Sequence, residues 1–512
     1  MPFNQTQWNP DQAKILQATV AACEPTPKVS SLPPDPARHQ GNRATLPQPI
    51  NPMLSLLPPR LDCCDRDQWQ QYFHNTWELE TWLLATIVGP DPWYQQPDPL
   101  RNPLIFYRGH CASFYINKLH QVGLVEPVEP ALEALFALGV DPRTPAELQT
   151  TLTGIPWPSL AAVDDYRQRV HEVVLGAIDR APWSHPITPD DPLWALVMGL
   201  EHSRVHLETT SVLLRQLPLD QVQRPPDWNY APLGRVASPS TPSPLGESWQ
   251  ELAGGLVTLG KSHRSPYYGW DMEYGYQTLE VAPFQVSTHL VTQGEFLAFV
   301  ADGGYGNRDW WDEDSWAWVQ GDDRRPGEPP RTHPQFWIPH PDGSYGYRAL
   351  FDELPLALDW PVEVNHHEAL AFCRWRGDGV RLLTEAEWTW ATAADMPQGP
   401  DAWDYEAFNL NLLYGSPTAV GQVRSAKSPT GLYDLRGNVW EWLGDRFHSL
   451  PGFQPHPLYP DHAAPYCHGD HSMMVGGSWI TNGTMAAPTY RNWFRPHFYQ
   501  HAGFRLARSA MA

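Results

Sequence analysis

Thiols are scarce in this chain. Its six cysteines (Cys23, Cys63, Cys64, Cys111, Cys373 and Cys467) include no CxxC pair, which excludes a zinc ribbon or a disulfide framework and fits a reduced, cytoplasmic protein. Positive charge is also short. Lys and Arg total 35 against 57 Asp and Glu, and the resulting net charge of −22 argues against nucleic acid or an anionic membrane as partner. No stretch approaches the ~18 consecutive apolar residues of a membrane span. The opening MPFNQTQWNPDQAKILQATVAAC lacks the basic start and apolar run of a signal peptide. No internal repeat is present.

What the chain does have is length, proline and tryptophan. At 512 residues it exceeds what one hydrophobic core serves. The 55 prolines predict many turns, and the 25 tryptophans predict aromatic packing. Residues 1–60 form a proline-rich extension with a short helix expected around Asp11–Cys23. Residues 61–224 carry helical periodicity in DRDQWQQYFHNTWELETWLLATI, LIFYRGHCASFYINKLHQVG, PALEALFALGV, SLAAVDDYRQRVHEVVLGAIDRA and LWALVMGLEHSRVHLETTSVLLRQLP, which together predict an antiparallel helical bundle. A proline- and serine-rich linker is expected over 225–248. Residues 249–512 read as short strands, glycines and tryptophans, with two helices expected in VTQGEFLAFVADGG and NHHEALAFCRWRGD. The fold class is therefore α+β.

The last bundle helix bears His202 and His206. At i and i+4 their Cβ atoms project from one face about 5–6 Å apart, close enough to share a metal ion. Imidazole suits several metals, so the pair alone does not choose among Zn, Fe, Cu and Ni. A catalytic site needs a third ligand and open positions. His74, His110, His120, His171 and His185 are available in the bundle. His110 has apolar flanks in Phe106, Phe114, Ile116 and Leu119 and so faces inward. It is either a ligand or a core histidine bonded to backbone.

Four blocks in order, RLLTEAEWTWA (Arg381–Ala391), GLYDLRGNVWEW (Gly431–Trp442), GGSW (Gly476–Trp479) and GFRLAR (Gly503–Arg508), resemble the signature of the formylglycine-generating-enzyme-like, or sulfatase-modifying-factor, domain, a C-type-lectin-related fold. The reactive cysteines of formylglycine-generating enzymes are absent from ITNGTMAAPTYRNWFRPHFYQHAGFRLAR, which excludes that activity. A bundle with HxxxHxE ahead of this domain resembles the DinB-like four-helix architecture of the non-heme iron sulfoxide synthases of ergothioneine and ovothiol biosynthesis. Those enzymes join a thiol to an imidazole carbon with O2. PLRNPLIFYRGHCASFYINKL, the His202/His206 helix and LPGFQPHPLY look more like the ovothiol branch, the 5-histidylcysteine sulfoxide synthases.

The resemblance implies Fe(II) held by His110, His202 and His206, and O2 as co-substrate. It implies Tyr459 as a catalytic proton or electron donor, and Glu208 either as a residue orienting a ligand or as a solvent-facing one. Arg491-Asn492-Trp493-Phe494 stands where the ergothioneine branch has RNWD. Phe494 in place of the aspartate implies free L-cysteine rather than γ-glutamylcysteine. Asn492 and Trp493 are ergothioneine-like, and Trp suits a trimethylammonium; Val205 replaces a glutamine frequent in that branch. Arg495 is a candidate carboxylate clamp. The leading expectation is L-cysteine joined to L-histidine. Hercynine (trimethylhistidine) as acceptor, or a selenium donor, is the alternative, and a non-catalytic lectin-like binding protein is a remote one. The chain ends soon after GFRLAR, so a separate methyltransferase or lyase is expected downstream. A structural calcium in the lectin-like domain is a further expectation.

Overall fold

The computed structural model describes residues 55–236, 248–324, 327–393 and 407–510. The helix expected around Asp11–Cys23 and the second half of the 225–248 segment lie outside these residues.

Four long helices make the N-terminal bundle: α1 (Arg66–Leu84), α2 (Leu104–Gln121), α5 (Leu160–Arg180) and α6 (Leu193–Arg215). Two short helices, α3 (Pro130–Leu135) and α4 (Pro145–Leu152), occupy the α2–α5 connection. Each start follows from local chemistry. Asp65 and Gln68 form a reciprocal capping box on α1, Ser159 caps α5, and Pro103 precedes α2. Both α1 and α2 pack on α5 and α6, burying Phe73, Tyr115, Tyr166, Val170 and Leu200 completely. The α2–α6 approach is close because Gly199 carries no side chain. A Cβ there would lie 2.5 Å from the Tyr115 ring, so any larger residue would push the two helices apart.

The C-terminal domain consists of small sheets linked by loops. Strands β1 (Trp249–Leu252), β2 (Gly255–Leu259), β3 (Gln277–Val281), β4 (Phe284–Ser287), β5 (Trp337–Pro339), β6 (Tyr345–Arg348), β7 (Glu353–Pro355), β8 (Arg381–Leu382), β9 (Trp440–Arg446), β10 (Ser472–Val475), β11 (Asn492–Phe494), β12 (Ala502–Gly503) and β13 (Leu506–Ser509) occur in chain order. They form sheets ordered β1-β4-β13-β8 and β11-β10-β9-β12, the pair β2-β3 and the meander β5-β6-β7. All pairings are antiparallel except β12 with β9. Trp360, Trp388, Trp440, Trp442 and Trp479 are fully buried between these sheets, as the tryptophan content predicts. The two expected helices are present as α7 (Gln293–Ala301) and α9 (His366–Arg376), and two more accompany them, α8 (Glu313–Gln320) and α10 (Glu385–Ala393). The extra pair is short. Helix α8 buries only Ser315, Trp318 and Val319, a single turn of contacts that no periodicity reading resolves.

The two halves are joined along one face of α6. Glu201, Arg204, Glu208, Ser211 and Arg215 recur at spacings of three and four, a pattern that by itself reads as a solvated face. All five are buried instead. Arg215 forms a two-pronged pair with Glu363 at 2.6 and 2.8 Å, and Ser211 Oγ lies 2.9 Å from His501 Nε2. Arg204 donates to Asn482 at 2.8 Å, and Glu201 accepts from the Thr484 amide at 2.6 Å. Glu208 accepts from Trp440 Nε1 (2.7 Å), Ser478 (2.5 Å) and Thr481 (2.7 Å). Neither role anticipated for Glu208 holds: it is not solvent-facing, and its carboxylate is spent on the second domain rather than on a histidine. The described start of the 225–248 segment is packed too, with Trp228 fully buried and stacked on Trp82 at 5.4 Å. Glu208→Ala would strand three buried donors, so it is expected to destabilise the protein by roughly 3 kcal/mol. Thermal unfolding of the metal-loaded protein would register this as a lowered Tm.

Candidate active site

The close α2–α6 contact sets three imidazoles against one another. The ligand atoms of His110, His202 and His206 all lie within 4.8 Å of one another, and no other group of three His, Cys, Asp or Glu among the described residues is so arranged. The structural calcium considered from the sequence therefore has no comparable side-chain cluster among the described residues.

Each histidine is oriented by a neighbour. His110 Nδ1 lies 2.6 Å from the Phe136 carbonyl. A carbonyl only accepts, so Nδ1 carries the proton and Nε2 keeps its lone pair. His110 also stacks on Phe106 at 4.8 Å, and His202 lies flat on Phe114 at 3.6 Å. His206 Nε2 is 3.1 Å from His110 Nε2. Burial holds all three neutral: His110 is lowered to about 4, and His202 and His206 are held well below the usual imidazole range by burial together with the neighbouring histidines.

These residues fit a metal ion. Neutral nitrogen lone pairs converge in a water-poor site, and His202 Nδ1 is buried with no partner among the described residues. Without an ion, convergent lone pairs are a cost; with one, they become ligands.

Tyr459, on the loop between β9 and β10, stands over this site. Its ring is 5.2 Å from Phe114 and 6.5 Å from His202, and burial raises its hydroxyl above the usual phenol range. Among the described residues that hydroxyl has no hydrogen-bond partner. Lys118 holds the loop: its Nζ donates to the Leu458 carbonyl at 2.5 Å and sits 4.6 Å over the Tyr459 ring and 5.0 Å over Phe114. Burial lowers this ammonium to about 8. Sequence reasoning missed Lys118, although His110, Phe114 and Lys118 share one face of α2 at i, i+4 and i+8.

The remaining expected substrate residues lie one layer out. Trp493 reaches the site through His462, whose ring is 5.4 Å from Trp493 and 5.2 Å from Tyr459. It is stacked on Phe447 at 4.4 Å. Asn492 Oδ1 accepts from the Trp493 amide at 2.9 Å, and Phe494 lies under the Arg101 guanidinium at 5.4 Å. Arg495 is not free to clamp a carboxylate: it is paired with Asp141 at 2.6 Å and 3.1 Å. The Arg101 guanidinium, laid over Phe498 at 4.4 Å and close enough to His206 to act on its charge, has no side-chain hydrogen bond or ion pair among the described residues. Its place in an irregular loop before α2 gave no sequence signal.

Three neutral imidazoles converging from α2 and α6, where the bundle meets the lectin-like domain, form a group that could hold a single metal ion. Residues 241–510 match the sulfatase-modifying factor enzyme 1-like domain, and residues 72–210 match the DinB superfamily. The chain is 31% identical to the hercynine oxygenase of Mycolicibacterium thermoresistibile over 81% of its own length and 89% of that protein. It is 29% identical to the hercynine oxygenase of Mycobacterium tuberculosis over 80% and 92% of the two chains. Ergothioneine biosynthesis protein 1 of Neurospora crassa is 23% identical over 86% of this chain and 57% of its own. The chain belongs to this family of non-heme iron, oxygen-dependent sulfoxide synthases. Among the described residues no helix is long and apolar enough to cross a membrane.

Proposed function

We propose that this enzyme joins a small thiol to the imidazole ring of hercynine, with His110, His202 and His206 holding Fe(II). The carrying observation is the neutral triad beside an unpartnered tyrosine hydroxyl, in a chain related over four-fifths of its length to proteins named hercynine oxygenase. The reaction balances as thiol S–H plus imidazole C–H plus O2 giving a C–S(=O) sulfoxide and water. Bound iron would supply Lewis acidity toward the thiol and one-electron chemistry toward O2. The protein's own contributions are positioning and proton control. Tyr459 O–H is the proton donor, kept protonated by burial. Phe114 and the Lys118 stem exclude water from one side of the triad. Arg101 is the cation available to a substrate carboxylate, and Arg101→Gln is expected to raise KM about tenfold with kcat largely kept, read in steady-state kinetics.

L-Cysteine is the thiol supported by Phe494 at the position of the family's aspartate. The resulting cysteine conjugate would need a separate lyase to release the thiolated imidazole. A second reading, L-cysteine with L-histidine, is favoured by the ovothiol-like stretches around His110 and Leu450–Tyr459.

The test is a competition. The anaerobic Fe(II)-loaded enzyme is given L-cysteine with equal hercynine and L-histidine, O2 is admitted, and products are read by mass spectrometry. A predominant hercynine–cysteine sulfoxide is expected. A predominant histidine adduct would replace this reading with the second, and neither adduct from iron-loaded protein would point to another thiol or a selenium donor.

A further inference from the structure

Soon after Tyr459 the β9–β10 loop carries a histidine with no task in the proposed reaction. His462 closes a tight turn with the tyrosine: its amide donates to the Tyr459 carbonyl at 3.1 Å, and the two rings stand 5.2 Å apart. Trp270 is stacked on the His462 ring at 4.3 Å, and Trp493 meets it edge-on at 5.4 Å. A further contact fixes its hydrogen. Asp271 Oδ1 lies 2.7 Å from His462 Nδ1. A carboxylate only accepts, so Nδ1 carries the proton and Nε2 keeps its lone pair. Nε2 makes no hydrogen bond among the described residues.

Asp271 differs from the other carboxylates that hold a buried histidine. Glu363, beside His501, is also paired with Arg215, and Asp141, beside His471, is also paired with Arg495. Asp271 is paired with no Lys or Arg among the described residues. Its Oδ1 also accepts from the Met272 amide at 2.9 Å, and its Oδ2 is buried with no partner among the described residues. A carboxylate without a standing cation is free to balance a charge that comes and goes on its histidine. Where an arginine already sits, that balance is taken.

The pair also shares a space with Tyr459. A cavity of about 220 Å3, enclosed in part by Trp194 of α6, is lined by Tyr459, His462 and Asp271 together. It has room for water, so a proton can pass between His462 Nε2 and the Tyr459 hydroxyl without either ring leaving its packing. Tyr459 needs such a supply. Its hydroxyl is buried and held above the usual phenol range, so a proton given up in one turnover has to come back through a neighbour.

We propose that His462, set by Asp271, returns a proton to Tyr459 once in each turnover. This role rests on Tyr459 being the proton donor of the reaction above, and it makes His462 and Asp271 positioning residues that act through the tyrosine. The balance closes. The water formed takes one hydrogen from the thiol S–H and one from the ring C–H. Tyr459 lends a proton to that water and is left as phenolate. The C–H proton, released as the C–S bond forms, is taken up at His462 Nε2 and passed to the phenolate oxygen. His462 Nδ1–H stays on Asp271 throughout, and no electron moves in the relay.

The relay is needed only after Tyr459 has been used once, which separates it from a structural role. The full-length Fe(II)-loaded protein is compared in two regimes. One is a single turnover, with enzyme in excess over hercynine and O2 admitted by rapid mixing. The other is the steady state with L-cysteine and hercynine in excess, and in both the adduct is read by mass spectrometry. His462→Asn keeps a donor for Asp271 but has no Nε2. Its first turnover is expected within about twofold of the unsubstituted rate, while kcat falls about 10–100-fold with KM largely kept. Asp271→Asn, which lets the ring tautomer reverse, should show the same split. The double variant should be no slower than His462→Asn alone. Iron content and Tm report that each variant is loaded and folded. A first turnover slowed as much as the steady state would overturn the relay, as would unchanged steady-state rates in both variants. If the enzyme uses L-histidine alone, the acceptor reading falls and the same two rates on L-histidine decide the relay. If Tyr459→Phe leaves the products unchanged, the relay falls with its donor while the acceptor reading stands.

Discussion

His206→Ala is expected to abolish iron retention. After anaerobic loading and gel filtration, the iron-to-protein ratio should fall from about one to under about one tenth, and sulfoxide formation should fall below detection. Removing a residue that merely supports a metal ligand already costs about 10–100-fold in affinity, and loss of a ligand exceeds that. The metal-free protein should behave differently. His206 Nε2 and His110 Nε2 face each other at 3.1 Å, and His202 Nδ1 is buried without a partner. Without metal these contacts contribute little to folding, so the variant should lose no more than about 1 kcal/mol of apo stability. A drop of several kcal/mol with iron still bound would mean that the triad is structural. His171→Ala is the control. That histidine packs on Phe73 at 5.2 Å and His74 at 5.4 Å, outside the triad, and the variant should keep its iron.

Tyr459→Phe is the second large effect. The ring packs on Phe114 and Lys118, so its removal by phenylalanine leaves shape and iron unchanged and deletes only the hydroxyl. Loss of a positioned proton donor typically costs about 10²–10⁴-fold in rate. Sulfoxide formation should fall by about 10²–10³-fold while thiol and O2 are still consumed, the thiol leaving as sulfinic acid, RSH plus O2 giving RSO2H. The check is the ratio of sulfoxide adduct to cysteine sulfinate by mass spectrometry. An unchanged ratio at reduced rate would remove Tyr459 from proton transfer. Lys118→Met should move the same ratio less, because it acts by holding the Leu458–Tyr459 backbone.

Much of this was legible in the chain because the signals were local. The spacing of His202 and His206 on one helix, the apolar flanks of His110, and the ordered Arg381–Ala391, Gly431–Trp442, Gly476–Trp479 and Gly503–Arg508 blocks each concern residues close in sequence. Helical period and turn chemistry act over a few residues, so a sequence displays them directly. Two short helices escaped because one or two turns do not establish a period.

What the sequence by itself determined was the two-domain order, the bundle, the lectin-like motifs, the paired histidines and the absence of reactive cysteines. Only the tertiary structure decided which polar groups are spoken for. Glu208 reads as a residue beside a metal ligand or in solvent, yet its oxygens meet Trp440, Ser478 and Thr481 more than 200 positions away. Arg495 reads as a free clamp, yet Asp141 takes it, and Arg101 from an unremarkable loop is left open. Asp271 and Trp194 enclose one cavity although 77 positions separate them. A charged side chain's role depends on its partner and its desolvation. Both are set by contacts across the fold, which spacing along the chain does not encode.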